Sequence, residues 1–215
     1  MYRALLFDLD GTLAETDSLH LPTWVDVLRP HGIEVDEEFY RENISGRSNS
    51  KIVEDLLPGL STEDGRDLAD AKEASFRERA HEIEPLPGLI DFMREAKDRG
   101  LSLALVTNAP EENVEAVLLA LELGKFFDEV ILSDEVGPVK PDPAPYRAAL
   151  DRLEVAPDEA LAFEDSTSGI ASAVGAGIPT VGIASTQAPE TLAEAGAFVV
   201  AEDFANPELR TLLDS

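Results

Sequence analysis

Short apolar runs without polar alternation recur along the chain, and helical patterns of apolar residues lie between them. The runs cover residues 3–7, 101–106, 129–132, 160–163, 180–184 and 197–200. Strands buried on both faces of a parallel sheet have this continuous apolar character. Their alternation with helices predicts an α/β fold with a doubly wound, Rossmann-like parallel sheet.

One long stretch interrupts this alternation. Between residues 14 and 85 no strand pattern stands out, and apolar residues instead recur at helical spacing over 19–28, 37–43, 49–57 and 62–80. We therefore expect an α/β core made of residues 1–14 and 86–215, with a four-helix insert at residues 15–85. Further helices are expected after Pro87, from Glu111 to Leu123 and from Ser166 to Ala176.

Composition narrows the class of protein. Hydrophobic residues make up 44% and charged residues 28% of 215 residues, which is ordinary for a globular chain. No apolar run reaches the roughly 18 residues of a membrane span, the N-terminus lacks the pattern of a secretory signal, and there is no cysteine. Disulfides, thiolate zinc sites and cysteine nucleophiles are thereby excluded. We expect a soluble, cytoplasmic protein.

The charge balance is strongly acidic. Lys and Arg total 17 against 44 for Asp and Glu, a formal net charge of −27. Such a field repels nucleic acids and anionic membranes, so neither is expected as a partner. The scattered acidic residues are compatible with solubility in a salty cytoplasm or with an ordinary acidic enzyme, and the charge alone does not decide between them.

Polar residues follow several of the predicted strands at the point where each strand ends. These are Asp8 and Asp10 after the first run, Thr107 and Asn108 after the second, Lys140 in the loop after the third, and Glu164 and Asp165 after the fourth. In an open parallel sheet, ligands bind at the carboxyl ends of the strands. We therefore expect all of these residues at one site.

The residue types at these strand ends predict phosphoryl transfer. Four carboxylates with one lysine need a hard divalent cation such as Mg²⁺ to remain ionised together. Asp8 and Asp10, two residues apart in extended chain, can flank one reacting group, one attacking phosphorus and the other transferring protons. Each motif alone is explained equally well or better by a turn or a helix cap, so the argument rests on their joint occurrence.

Four ordered motifs resemble those of the haloacid dehalogenase superfamily, and the resemblance covers the whole chain. They are Phe7-Asp-Leu-Asp-Gly-Thr-Leu13, Val106-Thr-Asn108, Lys140-Pro-Asp-Pro143 and Phe163-Glu-Asp-Ser166 with Gly169. The resemblance implies that Asp8 is the nucleophile and Asp10 the general acid/base. It implies that Thr107 and Asn108 bind the phosphoryl group and that Lys140 orients Asp8. Mg²⁺ would be held by Asp8, Glu164, Asp165 and the backbone carbonyl of Asp10.

The position of the helical insert resembles the helical-cap subfamily I, which includes β-phosphoglucomutase and phosphoglycolate phosphatase. In the β-phosphoglucomutase-like branch, the loop that matches Gly46 and Arg47 recognises the substrate, so these two residues are expected to bind it. His20 is a candidate hinge or proton-relay residue, with an exposed helix histidine as the alternative. The phosphonatases of the superfamily use a cap lysine as a Schiff base, for which Lys51 and Lys72 are the candidates. Lysines on polar helix faces are usually solvated; Lys72, on an amphipathic helix, fits that interpretation and could equally reach toward the substrate, and a phosphonatase is not expected.

One departure from the mutase pattern bears on the reaction. Ser48 and Asn49 stand where the mutases place a second-phosphate arginine, and Pro110-Glu-Glu112 stands where they also place a lysine. The resemblance therefore favours a monomeric Mg²⁺-dependent phosphatase of a small metabolite, either a sugar phosphate or a phosphoglycolate-like acid. A hexose-phosphate mutase and a non-catalytic phosphometabolite-binding module remain the alternatives, while Asp10 argues against dehalogenation.

Overall fold

The structure is a computed structural model that describes residues 1–45 and 47–214. The chain divides into two compact units. The first contains residues 1–15 and 84–215, and the second contains residues 16–83. Gly46, expected in the substrate-recognition loop, lies outside the described residues.

The first unit is built on a parallel sheet whose strands are β1 (Ala4–Phe7), β2 (Ser102–Thr107), β3 (Glu129–Leu132), β4 (Ala160–Glu164), β5 (Thr180–Ile183) and β6 (Val199–Ala201). Their order is β3-β2-β1-β4-β5-β6, and each neighbouring pair is parallel. The predicted α/β doubly wound sheet is confirmed. The strand order reverses between β1 and β4, which makes their carboxyl ends the switch point where such sheets bind ligands.

The described α-helices are α1 (Asp17–Leu28), α2 (Glu37–Asn43), α3 (Asn49–Leu56), α4 (Thr62–Arg79), α5 (Leu89–Asp98), α6 (Glu111–Ala120), α7 (Ser133–Val136), α8 (Ala144–Leu153), α9 (Thr167–Gly175), α10 (Pro189–Ala195) and α11 (Pro207–Leu212). The first four form the second unit and the others belong to the first. No helix among these is long and apolar enough to cross a membrane.

The core of the first unit lies on both faces of the sheet. Every residue of β1 is fully buried, because β1 is the central strand. On one face, Leu6 packs with Tyr146 and Ala149 of α8. On the other, Phe7 stacks on Phe163 at 4.9 Å within a cluster that also contains Phe92 and Phe204. Since burying each such ring stabilises the fold by about 1.5–3 kcal/mol, the strand ends are held on a rigid base.

The second unit has its own apolar core. Trp24, Leu28, Tyr40, Ile52 and Val53 are buried together. Three of its helices, α2, α3 and α4, begin at side-chain caps; in α2 the carboxylate of Asp36 accepts from the backbone N–H of Phe39 at 2.8 Å. Such a cap satisfies one of the free amide groups at a helix start. The four helices expected in this stretch are present, with ends shifted by at most two residues.

Candidate active site

Asp8 leaves β1 at the switch point. Its backbone N–H donates to the carbonyl of Phe163 at 3.1 Å, which extends the β1–β4 ladder by one residue, and Asp8 is only 8% exposed. Asp10 forms an isolated parallel bridge with Ala14. Gly11, which follows Asp10, lies against Asp165. A side chain at Gly11 would not fit, because its Cβ would lie 2.2 Å from Asp165 Oδ2. The φ of +75° at this position also favours glycine.

Lys140 joins the ends of three strands. Its Nζ donates to Asp8 Oδ1 at 2.7 Å, to Glu164 Oε1 at 2.6 Å and to the carbonyl of Val106 at 2.7 Å. Burial disfavours the charged ammonium, but the carboxylates of Asp8 and Glu164 outweigh burial and hold the pKa of Lys140 above its usual range. All three donor positions of the ammonium are used, so Lys140 remains a fixed positive charge beside Asp8.

Asp8, Glu164 and Asp165 form a buried carboxylate cluster. Each offers an oxygen that lies within 4.8 Å of the others. Burial raises the pKa of Asp8 to about 7 against the opposing charge of Lys140, and burial also raises the pKa of Asp165 well above its usual range. One ammonium does not balance three carboxylates, and hard oxygen donors are the ligands that Mg²⁺ prefers. The donor set and its charge therefore fit a divalent cation.

Thr107 and Asn108 lie at the end of β2. The Thr107 hydroxyl accepts from the backbone N–H of Ala109 at 3.0 Å, and the Thr107 carbonyl accepts from the Ser133 hydroxyl at 2.8 Å. The Asn108 side chain pairs with the backbone of Lys140, accepting at 3.1 Å and donating at 3.4 Å. Asn108 thus fixes the loop that carries Lys140, while phosphate binding by either residue stays a prediction.

Arg47 and His20 both lie in the second unit. The Arg47 guanidinium donates to the carbonyl of Asn43 at 2.8 Å and forms an ion pair with Asp55. That pairing lowers the pKa of Asp55. Arg47 is therefore tied to its own unit.

His20 is half-buried, so the alternative of an exposed helix histidine is wrong. Its ring stacks on Phe76 with 4.2 Å between ring centres, and its Nδ1 lies 2.7 Å from Lys72 Nζ. Phe76 covers one face of the ring and Lys72 contacts a nitrogen at its edge, which explains why the ring is partly withdrawn from solvent.

Lys72 is 2% exposed, and the expectation that it is solvated is wrong. Its Nζ donates to Glu73 Oε1 at 2.9 Å, and the same oxygen accepts from Asn49 Nδ2 at 2.5 Å. The ammonium also lies 5.6 Å from the centre of the Trp24 ring. A buried ammonium is tolerated when a carboxylate and an aromatic face compensate its charge.

Two contacts to the carboxylate cluster come from residues that the motifs did not single out. The Tyr146 hydroxyl on α8 donates to Glu164 Oε1 at 2.7 Å. The Thr186 hydroxyl, in the loop after β5, donates to Asp165 Oδ2. For Thr186 a signal was available, since Ser185 and Thr186 are polar residues directly after a predicted strand. A tyrosine inside a helix carries no such signal.

The chain is similar in sequence and in fold to proteins that are already known. The chain is 31% identical over 197 residues to validoxylamine A 7'-phosphate phosphatase of Streptomyces hygroscopicus subsp. limoneus, covering 91% of this chain and 92% of that one. It is 33% identical over 219 residues to phosphoglycolate phosphatase of Rhodospirillum rubrum, covering 96% and 89%. The structure matches a CbbY variant of Rhodobacter sphaeroides in complex with xylulose-(1,5)bisphosphate, with a TM-score of 0.85, 32% identity and 96% coverage of each chain.

A family model for haloacid dehalogenase-like hydrolases matches residues 5–183. This span begins in β1 and ends with β5, and it includes all four motifs and the helical insert. The resemblance inferred from the motifs and the expected enzyme class are confirmed. The chain belongs to the haloacid dehalogenase-like hydrolase family.

Proposed function

We propose that this protein is a Mg²⁺-dependent phosphatase that hydrolyses a small phosphorylated metabolite through a phosphoryl group held on Asp8. The observation that carries the proposal is the fixed position of Lys140 Nζ between Asp8 and Glu164, at 2.7 Å and 2.6 Å. One oxygen of Asp8 is occupied by this ammonium. The carboxylate is thereby held in one orientation, with oxygen lone pairs left for attack on phosphorus and for the expected metal, and the nearby positive charge favours approach of an anionic phosphoryl group.

Two proton transfers complete the reaction. An Asp8 oxygen forms a bond to phosphorus as the ester P–O bond breaks, and the leaving alkoxide takes a proton from Asp10. Asp10 then accepts a proton from water as that water attacks phosphorus. Orthophosphate leaves and Asp8 is regenerated as a carboxylate, so the second step restores both side chains.

The metal would be held by the carboxylates of Asp8, Glu164 and Asp165 and by the backbone carbonyl of Asp10. When bound, Mg²⁺ supplies positive charge that stabilises the developing charge on the phosphoryl oxygens. Thr107 and Asn108 would bind the phosphoryl group from the end of β2. This metal assignment is supported by the raised pKa values of Asp8 and Asp165, since burial disfavours their negative charges and a divalent cation would compensate them.

The substrate would be a sugar phosphate or a phosphoglycolate-like acid. The names of the validoxylamine phosphate and phosphoglycolate phosphatases support this class of substrate. The helical unit would supply specificity, with Gly46, Arg47 and His20 as its binding residues. We further propose that the enzyme is a cytoplasmic monomer with neither nucleic acid nor membrane as a partner.

Hydrolysis is favoured over the mutase alternative by charge. A mutase must retain a bisphosphate intermediate, which requires cations beyond the catalytic lysine. Arg47 is paired with Asp55, and Glu111 and Glu112 begin the helix after Thr107. Both observations reduce the positive charge available for a second phosphate group.

The test is orthophosphate release with Mg²⁺ from a panel of sugar phosphates, phosphoglycolate, nucleotides and an aryl phosphate, at low and at molar salt. We expect release to be concentrated on one or two metabolites and to be abolished in Asp8→Asn, which retains the fold. Residual turnover in that variant would contradict the role of Asp8. Without release, isomerisation of a β-hexose 1-phosphate primed with a bisphosphate would establish the mutase alternative. Binding of a phosphate mimic without any turnover would support the alternative of a non-catalytic binding module.

A further inference from the structure

The loop after β5 contacts both segments of the expected metal site. Ser185 donates its hydroxyl to the carbonyl of Gly11, directly after Asp10, and Thr186 donates its hydroxyl to the carboxylate of Asp165. These two segments are more than 150 residues apart in sequence and belong to different strand ends. The described contacts therefore join the β1, β4 and β5 ends through two adjacent hydroxyl groups.

The packing around these hydroxyl groups is close. A Cβ at Gly11 would lie 2.2 Å from Asp165 Oδ2 and 2.9 Å from the Thr186 methyl group. The Asp165 carboxylate and the Thr186 side chain therefore occupy the space beside the Gly11 backbone. Thr186 Oγ1 also lies 3.3 Å from the Asp165 carbonyl. Asp165 is only 6% exposed, and its Oδ2 is hydrogen-bonded to the Thr186 hydroxyl on the side where Gly11 leaves no space for a side chain.

We propose that Thr186 is a positioning residue that fixes the Asp165 carboxylate for metal binding by occupying its Oδ2, which leaves Oδ1 as the ligand atom. Ser185 assists by holding the Gly11 carbonyl, and with it the neighbouring Asp10. The inference rests on the metal site of the proposed function. Groups that orient a metal ligand in this way set its affinity, and their loss typically costs roughly 10–100-fold.

The experiment measures metal affinity directly, in the absence of substrate. Mg²⁺ binding is followed by isothermal titration calorimetry and Mn²⁺ binding by electron paramagnetic resonance, on the full chain. The variants are Thr186→Val, which removes the hydroxyl at constant shape, and Thr186→Ser, which keeps it. Thr180→Val is the matched control. Thr180 is buried on β5 and donates to the carbonyl of Ile178 at 3.0 Å, away from the carboxylates.

We expect Thr186→Val to raise the metal Kd by roughly 10–100-fold, with Thr186→Ser and Thr180→Val close to the wild type. Orthophosphate release by Thr186→Val should need correspondingly more Mg²⁺. Equal metal affinity in Thr186→Val and the wild type would overturn the inference, as would equal weakening in Thr180→Val. If the wild type binds Mg²⁺ and Thr186→Val binds it less tightly, the inference holds even when no substrate is hydrolysed. A wild type that binds no metal would overturn both this inference and the metal dependence of the proposed function.

Discussion

The hydroxyl of Tyr146 donates to the same oxygen of Glu164 that accepts from Lys140, at 2.7 Å and 2.6 Å. The lysine ammonium also lies 5.2 Å from the centre of the tyrosine ring. Burial and the charge of Glu164 raise the pKa of Tyr146 well above its usual range, so the phenol remains a donor at physiological pH. The orientation of Glu164, and through it that of Lys140, depends on a side chain from α8.

Tyr146→Phe should reduce stability and activity together. Removing the hydroxyl deprives a buried carboxylate of one of its donors, and a hydrogen bond to a charged group contributes about 1.5–3 kcal/mol. Urea denaturation should show a loss of this size, and kcat should fall more than KM rises. Tyr2→Phe is the control, since Tyr2 is a half-buried tyrosine just before β1. It should change neither the stability nor the activity. An unchanged urea midpoint in Tyr146→Phe would show that the Tyr146 hydroxyl is not needed to hold Glu164.

The raised pKa of Asp8 predicts a pH dependence of stability in the absence of metal. Because burial raises this pKa from 3.8 to about 7, the folded protein holds a proton on Asp8 that the unfolded chain releases between these values. The contribution of Asp8 to stability is therefore fully present below about pH 4 and is lost as the pH rises through 7. Thermal unfolding in EDTA measures the effect.

Asp8→Asn is the control for this measurement, since its side chain does not titrate. The Tm of the wild type minus the Tm of Asp8→Asn should decrease from pH 5 to pH 8. Added Mg²⁺ should stabilise the wild type more at pH 8 than at pH 5, because a carboxylate must lose its proton to bind metal. A pH-independent difference between the two proteins would contradict the raised pKa.

Gly169→Ala should disrupt the site through a steric clash. A Cβ at this position would lie 1.8 Å from Glu164 Oε2, and Glu164 is fully buried and held by Lys140 and Tyr146. Overpacking of this kind costs about 1–3 kcal/mol. Gly175→Ala in the same helix is the matched control, because its Cβ would meet Pro143 only at 3.5 Å. We expect a lowered Tm and loss of activity for Gly169→Ala alone; retained activity would mean that Glu164 can move.

Lys72→Met should destabilise the helical unit. The substitution removes the ammonium from Glu73, which is 7% exposed, and breaking a buried ion pair on one side costs about 3–5 kcal/mol. Amide hydrogen exchange should report faster opening of α1 and α4 while β1 and β4 stay protected. Lys51→Met is the control, since Lys51 pairs with Glu54 and Asp55 in solvent and should have little effect. Equal exchange in both variants would contradict this account.

The sheet was predictable from sequence because its strands are short apolar runs and their polar ends carry the motifs. Residues 129–132 match β3 at both ends, and the insert was visible as a stretch without strand pattern. The later helices were harder to detect. The helix α8 follows prolines and had not been predicted, and α6 ends at Ala120 where the apolar spacing continued to Leu123.

The part of the site formed by acidic residues at the strand ends could be predicted from the sequence. Asp8, Glu164 and Asp165 could be brought together because parallel strands end at one edge. The burial of Lys72 was not recognised, although Leu68 and Phe76 share its helical spacing, because a lysine is rarely placed on an apolar face. Partners supplied from distant segments, such as Tyr146 for Glu164, depend on packing that local patterns do not describe.

The two chain segments that flank the helical unit are hydrogen-bonded to each other within the first unit. Ala14 forms an antiparallel bridge with Pro85, and the backbone N–H of Leu86 donates to the carbonyl of Leu13 at 2.9 Å. The two ends of the insertion are thus already paired before the intervening 68 residues of the second unit are considered. Because both ends of the insertion are held by hydrogen bonds within the first unit, the strand pairing of the sheet does not depend on which segment lies between them.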